Sequence, residues 1–140
     1  MSDDLSAAFE ATHYRVFLDG HSHVIRIGSA CPPAVAEWLS QRALVRCAWL
    51  ITAYNPNARK AKPAENRARD GLLRDWAQRR APAWLDTVNQ DPTGQWPDEP
   101  GVLVAGVEEH EVRAMACRLE QAAMVQITAN EPAALVWLRG

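Results

Sequence analysis

Long apolar runs are missing from this 140-residue chain. None approaches the roughly 18 consecutive apolar residues of a membrane span, so no membrane partner is expected. Cysteine is scarce: Cys31, Cys47 and Cys117 are odd in number and far apart. That excludes a disulfide framework and a closed metal site of the CxxC kind. Cys47 and Cys117 fall in apolar patterns and read as small core residues. Cys31 precedes Pro32 at a helix entrance, a setting that can lower a thiol pKa, but a structural role is expected for all three cysteines. There is no Walker loop, GxGxxG, HExxH or GxSxG, so no cofactor is implied. His21 and His23 alternate as two metal ligands would, but no third ligand follows, and His13 and His110 have no evident partner. No metal site is read. The acidic Met1-Ser-Asp-Asp-Leu5 start lacks the order of a signal peptide, and a cytoplasmic location is expected.

What is present is enough for a core. Apolar residues make up 48% of the chain and six are Trp, so one domain burying roughly two thirds of its unfolded surface is expected. The net charge of −2 is unevenly spread. Between Arg59 and Arg80 eight basic residues face three acids, a balance of +5, which leaves −7 elsewhere. The segment can attract an anion, but the chain as a whole lacks the basic profile of a dedicated nucleic-acid binder.

Hydrophobic period and turn residues order the elements. Residues 1–11 form a flexible segment or short leading helix, followed by a single domain over 12–140. Tyr14–Leu18 and His23–Ile27 are strands around an Asp19-Gly hairpin signal. Pro32-Pro33 opens a helix to Arg42 with Val35, Trp38 and Leu39 inward. Cys47–Ala53 is apolar on both faces and reads as a central strand. A helix runs from Ala64 to Arg80, with Ala68, Leu72, Leu73 and Trp76 as its apolar stripe. Ala83–Val88, Val102–Val107, Met124–Thr128 and Ala134–Leu138 are further strands, and Glu109–Gln121 is a helix with Val112, Met115, Ala116 and Leu119 inward. The order ββαβαββαββ predicts an α/β or α+β domain. Its mixed sheet has about six to seven strands, with three helices packed on it.

Two polar blocks interrupt this pattern. Thr52-Ala-Tyr-Asn-Pro-Asn57 follows the central strand, and Glu65-Asn-Arg-Ala-Arg69 opens the next helix about ten residues later. The predicted stripe is centred near Arg69, and Glu65 points the same way. An inward Glu/Arg pair at a helix start needs hydrogen bonds or a ligand. Thr52, Asn55, Glu65, Asn66 and Arg69 would then converge on one polar ligand, with Arg69 holding an anionic or carbonyl group. The alternative is an Asn-Pro turn, helix caps at Glu65 and Asn66, and an i, i+4 ion pair. The second block is the loop Asp91-Pro-Thr-Gly-Gln-Trp-Pro-Asp-Glu-Pro100. Trp96 would be a platform or lid, or a cover on the core edge, and Glu99 an acid or base.

These residues carry a resemblance. Ile51-Thr-Ala-Tyr-Asn-Pro, Glu65-Asn-x-x-Arg69, Asp91-Pro-x-Gly-x-Trp96-Pro-x-Glu99-Pro and the closing Leu135-Val-Trp-Leu138 are similar to a bacterial family, domain of unknown function 3293. The resemblance extends over roughly Thr12 to Leu138 and implies a small stand-alone protein whose signature is the two polar blocks. No activity comes with it. The chain departs from the pattern at Gly101, where a Ser is expected, and at Ala61-Lys62-Pro63, where a Leu-Ser pair often precedes the helix.

Three readings follow. The first is a site for a small polar or anionic ligand, nucleotide-like or amino-acid-like, ligated by Thr52, Asn55, Asn66, Arg69 and Trp96. Glu65 and Glu99 are its candidate acid–base residues. It requires the two blocks to meet in space. The second is a nucleic-acid-binding module using Arg59, Lys60, Lys62, Arg67, Arg74, Arg79 and Arg80, with Arg67 and Arg74 on the outward helix face. The third is a regulatory protein-interaction domain, which an exposed patch at Trp84, Trp96 or Trp137 would favour. A monomer and a homodimer are both compatible with the pattern.

Overall fold

A computed structural model describes residues 3–138. Met1 and Ser2 of the leading segment, and Arg139 and Gly140 at the end of the predicted domain, lie outside the described residues. The chain runs α1 (Asp3–Ala11), β1 (His13–Leu18), β2 (His21–Ile25), α2 (Pro33–Glu37), β3 (Cys47–Thr52), α3 (Pro63–Arg80), β4 (Ala83–Gln90), β5 (Glu99–Ala105), α4 (Glu109–Arg118), β6 (Ala123–Thr128) and β7 (Glu131–Trp137). This is the predicted order with a leading helix in front. Four α-helices are therefore present among the described residues instead of three. A π turn, Trp38–Arg42, continues α2.

The strands form one seven-stranded sheet in the order β2-β1-β4-β5-β3-β6-β7. The expectation of a mixed sheet is corrected: every pairing of named strands is antiparallel. The reason lies in the crossovers. β3 and β4 run in the same direction, but β5 inserts between them, and β3 likewise inserts between β5 and β6. From β3 to β6 the chain is thus a split β-α-β unit used twice, the ferredoxin-like βαββαβ arrangement. The β1–β2 hairpin extends it beyond β4, and β7 extends it beyond β6. The hairpin turn is Asp19-Gly20, both with positive φ (51° and 81°), as a two-residue loop with the twist of the strands requires.

The sheet curls into a half-barrel whose far edges touch. Ile27, just past β2, bridges Ala133 of β7, and the Gly28 N–H donates to the Ala133 carbonyl at 2.8 Å. Two cores result from the alternation of side chains along each strand. On the concave face Tyr14, Val16, Leu50, Leu103, Val125 and Ile127 pack with Val35, Trp38 and Leu39 of α2 and its π turn. On the convex face Trp49, Ile51, Val102 and Val104 pack under Leu73 and Ala77 of α3 and Val112, Met115 and Ala116 of α4. Central β3 is buried on both sides, as its unbroken apolar run predicts.

One helix is rotated from its predicted phase. Ala68 is exposed and Leu72 is 55% exposed, whereas Asn66, Leu73 and Ala77 are buried. The inward stripe therefore includes a polar residue, which apolar periodicity cannot reveal. Strand limits also move: among them, β2 ends at Ile25, β5 begins at Glu99 and β7 begins at Glu131. The second shift matters most, because it puts Glu99 on a strand and not in a loop.

Candidate functional site

α2 fills one end of the concave face. The other end encloses a cavity of about 740 Å³, covered by α1 and bounded by Tyr14, Leu50, Thr52, Asn89, Glu99 and Val125. The strand register explains the composition of its wall. Thr52 lies opposite Gly101, Gly101 opposite Thr87, and one row on Glu99 lies opposite Asn89, with Asn89 opposite Tyr14. Side chains two apart on a strand share a face, so an apolar floor gives way to a polar rim.

Asn55 ties the two polar blocks together. Its Nδ2 donates to Glu99 Oε2 at 2.7 Å, and the Trp96 indole Nε1 donates to the same oxygen at 2.8 Å. Behind it, the Asn55 backbone N–H donates to Asn66 Oδ1 at 2.8 Å and Asn66 Nδ2 donates to Asn55 Oδ1 at 2.9 Å. The Ala61 N–H also donates to Asn55 Oδ1, at 3.0 Å. Thr52 Oγ1 donates to the Pro100 carbonyl at 2.7 Å and accepts from the Tyr54 N–H at 3.1 Å. This closed network holds Asn55, Asn57 and Ala58 at φ of 50°, 57° and 58°. Left-handed backbone at non-glycine residues persists only where the surroundings over-determine it, and it clusters at working sites. Residues after α4 add support: the Asn57 N–H donates to the Glu120 carbonyl at 2.8 Å and Gln121 Nε2 to the Tyr54 carbonyl at 3.1 Å.

The second block is braced by its own carboxylate. Asp91 accepts from the backbone N–H groups of Thr93, Gln95 and Trp96 at 2.9, 3.1 and 2.9 Å. Hydrogen bonds from the Thr93 hydroxyl and from the backbone hold the Asp91 carboxyl below its ordinary pKa. Trp96 is half-buried, and Lys60 Nζ stands 5.3 Å from its ring centroid. Glu99 behaves oppositely to Asp91. Desolvation by burial raises its pKa, although the Trp96 and Asn55 donors pull it down. Burial, with the nearby Glu99 charge adding to it, holds the Tyr14 phenol well above its usual value.

The predicted residues separate. Thr52, Asn55, Trp96 and Glu99 line the cavity. Asn66 is buried behind Asn55 and positions it. Glu65 is exposed, and neither it nor Arg69 lines the cavity. No ion pair joins them among the described residues, and Arg69 Nε and Nη2 are buried without hydrogen-bond partners. Arg67 is exposed on α3, whereas Arg74, one heptad on, is half-buried. Arg74 pairs with Asp70 at 2.9 Å and with Asp86, and Arg80 pairs with Glu111. Sequence reading missed Tyr14, Tyr54 and Asn89 as wall residues. The polar alternation of Thr87 and Asn89 after Leu85 is the one signal that could have marked Asn89.

Among the described residues no group of three His, Cys, Asp or Glu could hold a metal ion, and no helix is long and apolar enough to cross a membrane. Burial raises the Cys31 thiol pKa above its ordinary value. Cys117, read as core, is exposed on α4. Trp84, Trp96 and Trp137 form no exposed patch, since each is half-buried; Trp137 meets Phe9 of α1 edge to face at 5.5 Å.

Fold and site together define an α+β protein with a carboxylate-lined cavity in an antiparallel half-barrel. Residues 51–124, just over half of the chain, match the family described as protein of unknown function (DUF3293), and the chain belongs to that family. The matched stretch contains both polar blocks. No curated protein and no solved structure matches the chain. The departure at Gly101 has a steric meaning: a Cβ there would lie 2.5 Å from the Ile51 carbonyl oxygen and 3.0 Å from Thr87 Oγ1.

Proposed function

We propose that this protein binds a small organic molecule in the mouth of the half-barrel, with Glu99, Asn55, Thr52 and Trp96 as the polar end of the site. The observation that carries the reading is the cavity itself, about 740 Å³ with a half-buried carboxylate in its wall. That volume falls within the roughly 300–1,000 Å³ of small-molecule sites. A carboxylate kept partly out of water, held on one oxygen by two oriented donors, is costly as scaffolding and useful as a ligand contact. Of the two candidate acid–base residues, Glu99 alone lines the cavity. It is therefore the residue to test for proton transfer. Asn66, bonded to Asn55, is assigned to the support of the site, and Arg69 is not part of it. With Arg69 outside it, and no Lys, Arg or His among the described residues that line the cavity, the ligand reading moves from anionic to neutral or cationic. Pairing of Arg74 and Arg80 with acids weakens the nucleic-acid alternative.

A fragment screen by ligand-observed NMR tests the proposal, comparing wild type with Ala8→Trp. Ala8 lines the cavity yet is exposed, so a larger side chain there fills the cavity without disturbing the packed core. Fragments that bind wild type and are lost in the variant support the site. Absence of binders, or equal binding to both proteins, overturns it.

A further inference from the structure

The cavity has a chemical bias, and the following inference rests on the ligand-binding reading above. We infer that its ligand carries a primary ammonium group on an apolar body, with the ammonium seated between Glu99 and Asn89. The hydrogen-bond inventory points to a donor-rich head. Glu99 Oε2 already accepts from Asn55 and Trp96, while Oε1 accepts from no described residue. Asn89, directly opposite on β4, has a buried Oδ1 without a hydrogen-bond partner. Opposed residues of an antiparallel pair have Cβ atoms about 4.5–5.5 Å apart, so one small head can reach both. Tyr14, next in the same row, cannot serve Asn89, because its hydroxyl donates to the Phe9 carbonyl at 3.3 Å.

The electrostatics agree. Asp4, Asp91 and Glu99 line the cavity together with the rings of Phe9, Tyr14 and Tyr54, while the Trp96 ring already carries Lys60. Carboxylates and aromatic faces both favour a cation over an anion. Asp91 is committed to its own loop and Asp4 is exposed on α1, which leaves Glu99 as the half-buried carboxylate at the polar rim. A quaternary ammonium would satisfy the rings but has no N–H for Asn89 Oδ1, whereas a primary ammonium has three. Leu50, Val125 and Leu135 offer the remainder of the cavity to an apolar body.

Isothermal titration with hexylammonium, hexanol and hexanoate separates the possibilities, using wild type, Glu99→Gln, Asn89→Leu and Ala8→Trp. Hexylammonium should bind wild type at least about tenfold more tightly than hexanol, the size of one charge-assisted hydrogen bond, with hexanoate weakest. Glu99→Gln and Asn89→Leu should each reduce the ammonium to the level of the alcohol, and Ala8→Trp should abolish all three. Hexanol equal to hexylammonium, or no loss in the two head-group variants, overturns the ammonium assignment and leaves the cavity reading in place. No binding of any probe, or unchanged binding to Ala8→Trp, overturns both. If Glu99→Gln loses its far-UV signal, Asn89→Leu alone decides.

Discussion

At the scale of single residues, Glu99 and Gly101 make the sharpest statements. Burial raises the Glu99 pKa above its unfolded value, so the folded chain keeps that proton longer than the unfolded chain. The stability it contributes is fully present below the unfolded pKa and is lost as pH rises through the folded one. Glu99→Gln should therefore gain stability over wild type at neutral pH, and the gain should vanish well below the carboxylate range. Urea denaturation at both pH values checks this; an equal difference at both would show that Glu99 is not strained by burial. The replacement suits the site, since a Gln oxygen still accepts from Asn55 and Trp96 while its amide can donate toward Asn89. Gly101→Ser should cost about 1–3 kcal/mol, because the new Cβ meets Ile51 backbone that cannot move away cheaply. Thermal unfolding reads that cost, and a neutral result would mean that β5 shifts against β3 with ease.

At the scale of elements, α3 and the loop before it carry the argument. Asn66 is a polar residue on a buried helix face, retained because it closes the ring of hydrogen bonds with Asn55. Asn66→Ala leaves the Asn55 N–H without a partner and should cost about 1–3 kcal/mol. It should also loosen the site, seen as faster hydrogen exchange at residues 54–58. Unchanged exchange there would deny Asn66 its positioning role. The helix phase is equally testable. Leu73→Ala should cost about 2–5 kcal/mol and Leu72→Lys within about 0.5 kcal/mol. The opposite ranking in chemical denaturation would restore the phase expected from apolar spacing. That spacing misjudges α3 because Leu72 is a solvent-facing apolar residue and Asn66 a buried polar one. The pattern holds on α4, where Val112, Met115, Ala116 and Leu119 are all buried.

At the scale of the molecule, the double split β-α-β unit puts β3 and β5 at the centre and leaves β2 and β7 at the outer positions. Amide exchange should be slowest in β3 and β5 and fastest in β2, since opening free energies fall from the core outward. Comparable protection in β2 would mean that the contact of Ile27 with Ala133 closes the half-barrel more firmly than a single bridge implies. Every strand neighbour except the β1–β2, β4–β5 and β6–β7 hairpins is distant in sequence, so folding should be slow for this length.

The sequence by itself determined the elements, the single core-forming domain, the two polar blocks and the absence of cofactor and metal motifs. Those features follow from side-chain period, turn chemistry and spacing, which are local. Strand order, strand direction and the cavity were decided only by the tertiary structure. β5 inserts between β3 and β4 because two helices must cover one face of the sheet, and no local pattern records that choice. For the same reason Asn55 and Glu99, 44 positions apart, meet at 2.7 Å, while Arg69, which looked like part of the same cluster, lies outside the cavity.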